Sequence, residues 1–414
     1  MLLALVGLGI LWRVMRWAWG FPFWGDEAFV GVNFVTRDYA DLIRPLDYGQ
    51  IAPLVFMWVE LAVSRVLGLS ERALHLVPTL AGLAALVLFW RFSHQVVPRR
   101  AAMLATGILA ASYYVVRHGA ELKPYATDLL VSLTLTMLVW RVWQRPRSAA
   151  RWLLLVFAGG VAGWCSYPAA FVLVAAGGVL TWLLVRERFR VPALVGWLAF
   201  GVIAGGSLAA MYFLYAKPHA EAAARLTEIG MWAKTFPPLD DLAQLPLWFF
   251  GIHSGLMLAY PHGGTAPGSL ATLLLVIVGA VWLARRNGPL VLLLLGPLVP
   301  TFAAAAVKAY PYGGSARTSL YMAPAFCLLA GVGLHYLLSR LQRLGAHAAA
   351  RAGGPCSPSH SVQRLGARSA AGACVPVSRR PVPLRISVPV ALVALCGLPI
   401  GGLIGDAQIG RAHV

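Results

Sequence analysis

The sequence predicts an all-α protein whose helices cross a membrane many times. Of its 414 residues 59% are hydrophobic and only 12% are charged, and its mean hydropathy is +0.72, which is too apolar for a water-soluble fold. Apolar runs of about the length that spans a bilayer, ~20 residues, recur along the chain and are separated by short basic segments. We therefore expect about 10 to 11 transmembrane helices.

The predicted spans begin at the first residue and are interrupted by two long loops, at 20–72 and 216–268. They cover residues 1–19, 73–92, 101–116, 127–143, 152–166, 169–185, 192–215, 269–284, 289–307 and 320–338. A weaker run at 386–404 would be the eleventh. The first run carries Arg13 and Arg16, and no small-residue cleavage site follows it, so we interpret it as a retained helix and not as a signal peptide.

Arginine clusters in every second linker orient these helices. The clusters lie at 91–100, 141–151, 186–190, 285–286 and 340–343, and short loops rich in positive charge stay in the cytoplasm. The intervening loops, at 20–72, 117–126, 165–168, 216–268 and 308–319, are then external. Residues 51–67 would reverse this order if they crossed, but Glu60 and Arg65 are costly at a bilayer centre. We predict that this segment is a helix in the external interface.

The formal charge of +19 does not indicate nucleic-acid binding, because much of it lies in the cytoplasmic loops and in the C-terminal tail. The predicted membrane domain covers residues 1–340. Residues 341–385 lack periodicity and are rich in Ala, Gly, Ser, Pro and Arg, so we expect a disordered or frameshifted cytoplasmic segment. Residues 386–414 combine the weak apolar run with an ending that matches a translated sequencing adapter, and we expect this C-terminus to be artefactual.

Two adjacent acids, Asp26 and Glu27, follow the first helix in the stretch FWGDEA. Loop carboxylates are commonly solvated, and the pair could simply mark the end of that helix. However, the neighbouring Phe23 and Trp24 are apolar enough to bury it, and a partly dry carboxylate can act as a general base toward a hydroxyl. Asp26 and Glu27 are therefore candidate catalytic residues. They are also the candidate ligands for a divalent metal, which the sequence does not require.

A second cluster, RHGAELKPYATD, occupies the next predicted external loop. Its ionisable side chains are Arg117, His118, Glu121, Lys123, Tyr125 and Asp128. If Pro124 opens the following helix, the cations surround a helix N-terminus, which is a natural anion site, and Tyr125 and Asp128 share one face of the helix. Interfacial anchoring would explain the Tyr and Lys but not the acids. Glu121 is the third candidate catalytic acid.

A third cluster, KAYPYGGSAR, places Lys308 and Arg317 on either side of a glycine-rich turn. The backbone amides of such a turn can approach a phosphate. The alternative is an aromatic belt with a snorkelling lysine.

Taken in order, the three clusters resemble the C-type glycosyltransferase (GT-C) superfamily, specifically family 39 proteins similar to protein O-mannosyltransferases and lipid A aminoarabinose transferases. The similar stretches are GDEA at 25–28, GLSERALHLVPTLAGLAALVLFWRF at 68–92, ELKPYA at 121–126 and YPYGG followed by Arg at 310–317. The likeness covers roughly residues 20–340, and Lys123 stands where many members have Arg.

The resemblance implies a GT-C fold for residues 1–340 and inverting transfer of a sugar from a polyprenyl-phosphate carrier, without a required cofactor. The acceptor would be a protein, lipid or glycan at the periplasmic or extracellular face of a bacterial inner membrane. Asp26 would be the general base, and Glu27 would orient the acceptor or help to hold the site. The donor phosphate would be bound by Arg117, Lys123, Tyr125, Lys308 and Arg317.

Two other function classes fit parts of the sequence. A transporter or lipid flippase would use helix breaks such as Gly296-Pro297 and Pro300 at a binding site, but the acids lie in external loops and not at mid-depth, where coupling sites are expected. A non-catalytic membrane scaffold would explain neither the acid pair nor the cation cluster. The sequence therefore favours an enzyme.

Overall fold

The computed structural model of the chain describes residues 2–224, 233–261 and 268–352, and these ranges contain helices and loops without a strand. The first nine helices are α1 (Leu2–Trp19), α2 (Gly25–Gly31), α3 (Asn33–Thr36), α4 (Leu54–Leu67), α5 (Glu71–Leu74), α6 (Leu76–Val96), α7 (Arg99–Ala111), α8 (Tyr113–Arg117) and α9 (Tyr125–Gln144). The remaining helices are α10 (Ala149–Cys165), α11 (Ala169–Arg186), α12 (Val191–Met211), α13 (Lys217–Ala224), α14 (Leu245–Ser254), α15 (Gly268–Leu295), α16 (Leu298–Ala306) and α17 (Ala323–Ala352).

The ten stronger apolar runs of the sequence all lie on helices. In the described ranges, six helical stretches are long and apolar enough to cross a membrane, judged by length and composition: Glu71–Val96, Tyr125–Gln144, Ala169–Arg186, Val191–Ala224, Ser269–Ala306 and Leu320–Ala348. The stretch Ser269–Ala306 contains two of the predicted runs, because the chain bends at Asn287 (φ −152°, ψ 70°). The all-α polytopic membrane fold is confirmed. The weak run at 386–404 lies outside the described residues.

The main core lies between α6, α7, α9, α11, α15 and α17. Glycines bring α15 and α17 into backbone contact: a Cβ atom on Gly279 would clash with the carbonyl oxygen of Leu329, and one on Gly333 would clash with that of Leu275. Small residues allow this close approach between membrane helices. Large apolar side chains cover the outside of the bundle instead, as lipid contact requires.

A second, smaller core lies under the loop 20–72 and joins this loop to the loop 117–126. Its buried members are Val30, Phe34, Leu42, Leu46, Ala52, Phe56, Met57, Leu61, Leu74 and Leu122. Arg37 braces the same loop by an ion pair with Asp47 at 2.8 Å. Because Leu122 belongs to this core, the loops 20–72 and 117–126 form one packed unit.

The contact between the loops 20–72 and 117–126 limits how often the chain between them can cross the membrane. The backbone N–H of Leu122 donates to Glu27 Oε1 at 2.7 Å, so both loops lie at the same end of the bundle. The predicted spans at 73–92 and 101–116 give an even number of crossings between the two loops. The contact therefore agrees with the prediction that α4 is an interfacial helix that does not cross. Its Glu60 is fully buried.

The last described helix extends beyond the predicted boundary of the membrane domain at residue 340. Helix α17 continues to Ala352, 12 residues into the segment predicted to be irregular. The rest of that segment, to residue 385, and the predicted artefactual end at 386–414 lie outside the described residues.

Candidate active site

Asp26 lies in the first turn of α2, where a negative charge interacts favourably with the helix dipole. Its Oδ2 accepts a hydrogen bond from Arg317 Nη1 at 3.0 Å, and the two side chains are 38% and 24% exposed, respectively. The pair joins the first and third sequence clusters, which are 291 residues apart. A solvent-accessible carboxylate is thereby held beside a fixed positive charge.

Glu27, the next residue, points away from Arg317 and is buried. Its Oε2 accepts from the backbone N–H of Trp24 at 3.0 Å, which satisfies one of the free donors at the start of α2. Its Oε1 accepts from the backbone N–H of Leu122 at 2.7 Å and contacts His75 Nε2 at 2.8 Å. The carboxylate of Glu27 therefore has partners on three separate segments.

Glu121 is engaged by cations of its own loop. Its Oε2 lies 2.8 Å from His118 Nδ1, and its Oε1 lies 3.6 Å from Arg117 Nε. Burial acts to raise the pKa of Glu121, but His118, Arg117 and Arg16 together lower it to about 2. Glu121 is consequently a stable anion near neutral pH and a poor proton acceptor.

Lys123 of the second cluster is buried, with 9% of its surface exposed. Its Nζ donates to Gln50 Oε1 at 2.7 Å. Burial lowers the pKa of Lys123, while the negative charge of Asp26 opposes that change and the positive charge of Arg317 adds to it. Lys123 is therefore affected by the charges of both Asp26 and Arg317. Its hydrogen-bond partner, Gln50, is neutral, and Lys123 forms no ion pair with a carboxylate of the described residues.

Helix α9 begins at Tyr125, directly after Pro124, as the sequence predicted. The Tyr125 ring meets the ring of His118 edge-on, with 5.9 Å between centroids. Asp128, one turn further, is 6% exposed, and its Oδ1 has no hydrogen-bond partner among the described residues. Tyr125 therefore lines the side of the site, and Asp128 lies beneath the surface.

The two cations of the third cluster, Lys308 and Arg317, lie in different surroundings. Lys308 is exposed, adopts a left-handed backbone conformation (φ 56°) and forms no ion pair with the described acids. The glycines of the turn are packed against protein: a Cβ atom on Gly313 would clash with Met257, and one on Gly314 would clash with Thr235. Arg317 is thus the residue of this cluster that reaches Asp26.

Two contributors to the site were not singled out from the sequence. His75 lies between α5 and α6, is 3% exposed and contacts Glu27. Gln50 holds Lys123 by the contact described above. His75 stands at the end of the apolar run 73–92 that was predicted to be external, on the same predicted face as the acid pair, and this position was the available signal.

Nitrogen donors surround Asp26 and Glu27, the two candidate ligands for a divalent metal. Within the described part of the chain, no group of three or more His, Cys, Asp and Glu side chains is arranged to hold a metal ion. Both oxygens of Glu27 accept backbone N–H groups, and Asp26 faces a guanidinium group. Three oxygen atoms of the acid pair, both of Glu27 and Oδ2 of Asp26, therefore already have protein donors.

Comparison with known proteins supports the resemblance seen in the sequence. Residues 52–212 match the family model described as dolichyl-phosphate-mannose-protein mannosyltransferase. The matched region includes Glu121, Lys123 and Tyr125 but neither Asp26 nor Arg317. A search of curated proteins found no significant match.

Among solved structures, 16 chains match significantly. ArnT from Cupriavidus metallidurans bound to undecaprenyl phosphate has a TM-score of 0.51 at 16% identity, covering 84% of this chain and 64% of ArnT. The oligosaccharyltransferase AglB from Archaeoglobus fulgidus, in complex with an inhibitory peptide and a dolichol-phosphate, has a TM-score of 0.50 at 13% identity, covering 98% of this chain and 55% of AglB.

At these identities the likeness establishes the fold. The chain spans less than two thirds of the length of either protein. The GT-C fold and the resemblance to protein mannosyltransferases and ArnT are confirmed.

Proposed function

We propose that this chain, which has the GT-C fold and resembles protein mannosyltransferases over residues 52–212, is an inverting membrane glycosyltransferase. It transfers a sugar from a polyprenyl-phosphate carrier to a hydroxyl of a protein, lipid or glycan acceptor. The reaction takes place at the external face of a bacterial inner membrane. Undecaprenyl phosphate in ArnT and dolichol-phosphate in AglB support a carrier of this class.

The accessibility of Asp26 carries the proposal. The Asp26 side chain is 38% exposed, whereas those of Glu27 and Glu121 are 7% and 17% exposed and are already held by nitrogen donors. The pKa of Glu121, at about 2, further disfavours it as a base. Asp128 is buried. Of these four described acids, Asp26 is the one that an incoming hydroxyl can reach, and hydrogen-bond reach is the first requirement of a general base.

The reaction is a single displacement at the anomeric carbon. The acceptor oxygen attacks this carbon from the side opposite the phosphate, and the carbon–oxygen bond to the phosphate breaks with its electron pair on the phosphate. The acceptor proton passes to Asp26, and the configuration of the sugar is inverted. The isoprenoid chain remains in lipid beside the apolar helices, so only the sugar phosphate needs to enter the site.

Positive charge at the site stabilises the leaving phosphate, whose negative charge grows in the transition state. Arg317 donates a hydrogen bond to Asp26, and Lys123 is near enough for the charge of Asp26 to act on it. We assign these two cations the main contacts with the donor phosphate. Arg117 and Tyr125 line the adjoining wall beside the Glu121–His118 pair. Lys308 would contact the phosphate only if its exposed loop folded over the donor.

The test is the variant Asp26→Asn, because an amide keeps the size of the side chain but cannot accept a proton at working pH. Transfer should fall by ~10²–10⁴-fold, the usual contribution of a general base. The assay follows radiolabelled undecaprenyl-phosphate sugars and a cell-envelope acceptor fraction with detergent-purified protein. Asp240→Asn, an exposed acid in another loop, is the matched control.

Thermal unfolding of both variants guards against loss of the fold. Turnover of Asp26→Asn near the wild-type rate would remove Asp26 from the mechanism. Absence of transfer by the wild-type protein with every undecaprenyl-phosphate sugar and acceptor fraction would contradict the proposed function itself.

A further inference from the structure

The buried contact between His75 and Glu27 has no role in the proposed reaction. Both side chains are almost inaccessible, at 4% and 7% exposure, so neither meets a substrate. A buried carboxylate must be matched by hydrogen-bond donors, and Glu27 has three of them within 3.0 Å. These three donors belong to parts of the chain that are distant in sequence.

The contacts of Glu27 determine where its neighbours lie. Glu27 follows Asp26 directly, and its partner Leu122 precedes Lys123 directly. The carboxylate of Glu27 therefore connects two parts of the site. It holds Asp26, the proposed base, next to the loop that carries Lys123. The separations along the chain are 95 residues to Leu122 and 48 residues to His75.

His75 fixes the carboxylate in this position from a third direction. Its ring packs edge-on against Phe23, with 5.3 Å between centroids and an interplanar angle of 87°, so its orientation is set by packing. Its Nε2 lies 2.8 Å from the same oxygen of Glu27 that accepts from Leu122. Loss of this donor would leave the carboxylate of Glu27 held only by the backbone N–H groups of Trp24 and Leu122.

We propose that His75 and Glu27 are positioning residues, which clamp the first external loop to the second and so hold Asp26 and Lys123 in register. The effect on turnover depends on the proposed function, whereas the clamp itself does not. Misplacement of reacting groups by about 1 Å can reduce a rate ~10²-fold. This role differs from direct contact of Glu27 with the acceptor.

Two amide substitutions at residue 75 separate hydrogen bonding from bulk. In His75→Gln the side-chain N–H lies where Nε2 lies in histidine, and in His75→Asn it lies closer to the backbone, where Nδ1 lies. Both replacements are neutral, polar and smaller than the ring. His94→Asn is the matched control, because His94 lies at the other end of α6 and its Nδ1 contacts only its own helix, at Trp90 O.

The first readout is hydrogen exchange at the backbone amide of Leu122, which requires no activity. His75→Asn should accelerate this exchange about tenfold or more, as expected for loss of one supporting hydrogen bond, while His75→Gln and His94→Asn should stay near wild type. The second readout is turnover. In His75→Asn, kcat should fall roughly 10- to 100-fold, with the donor KM changed by less than about threefold.

Equal behaviour of His75→Asn and His75→Gln in both readouts would overturn the proposal, because a bulk effect does not depend on which nitrogen is mimicked. Wild-type exchange at Leu122 in His75→Asn would also overturn it. If exchange responds as expected but the wild-type protein transfers no sugar, the clamp is supported and the proposed function fails. A global loss of stability is excluded when amides in α17 exchange at wild-type rates.

Discussion

Removal of the charge of Lys123 should weaken binding of the lipid carrier. Lys123→Met keeps the length of the side chain but loses the ammonium group and leaves Gln50 Oε1 without its 2.7 Å donor. An exposed ion pair contributes about 0–1 kcal/mol. Lys123, however, is only 9% exposed, so we expect the ~1.5–3 kcal/mol of a charge-assisted hydrogen bond. This range corresponds to roughly 10- to 100-fold weaker binding.

The assay is equilibrium binding of radiolabelled undecaprenyl phosphate to detergent-purified protein. Lys123→Arg should retain most of the affinity, because the charge is kept although the guanidinium group has a different shape. Lys217→Met is the control, since Lys217 is 51% exposed and pairs only with Glu221 at 3.8 Å. Equal losses in Lys123→Met and Lys123→Arg, or wild-type affinity in Lys123→Met, would refute the assignment of Lys123 to the phosphate.

The same residue predicts a pH dependence. Burial lowers the pKa of Lys123 from its ordinary value of 10.5, and Asp26 only partly opposes this change. The charged form is therefore lost at a lower pH than for an exposed lysine, and carrier affinity should decrease as pH rises through this lowered pKa. In Lys123→Arg this alkaline decrease should disappear, because arginine stays protonated.

Two further substitutions test the stability of the site and of the bundle. Glu121 has a pKa lowered from 4.5 to about 2 in the folded chain, so its charged contacts stabilise the fold above pH 4.5 and lose this effect as pH falls from 4.5 to 2. The melting temperature of Glu121→Gln should thus lie below that of the wild type at pH 7, with the difference vanishing towards pH 2; a constant difference would contradict this. Gly279→Val should lower stability by about 1–3 kcal/mol through overpacking against α17, whereas Gly201→Val, where a Cβ atom meets nothing within 4 Å, should not. Equal melting temperatures of these two variants would argue against the close α15–α17 contact.

Structural features that depend only on residues adjacent in the sequence could be predicted. Helix α9 begins after Pro124 as expected, because proline lacks the donor that a first helical residue leaves unused. The apolar runs predict the helices because a lipid environment selects for length and apolar composition more strictly than water does. That α4 is an interfacial helix stays a prediction from Glu60 and Arg65, with which the contact between the first two loops agrees.

The partners inside the site could not be predicted, because they depend on tertiary packing. Nothing in the local sequence pairs Glu27 with His75 or Lys123 with Gln50. The side chains of Asp26 and Glu27 diverge, since consecutive residues of a helix point about 100° apart, but the sequence does not show which of them is buried. Nor does it show that Gly313 packs closely against Met257.

The ion pair between Asp26 and Arg317 also has a consequence for biosynthesis. Its two halves are separated by 291 residues, and translation at 5–20 residues per second needs about 15 to 60 s to cover that distance. During this interval the first loop has already left the ribosome while its arginine has not been made. An unfinished chain can therefore expose the proposed base without the positive charge beside it, and the site becomes complete only after Arg317 has been made and inserted.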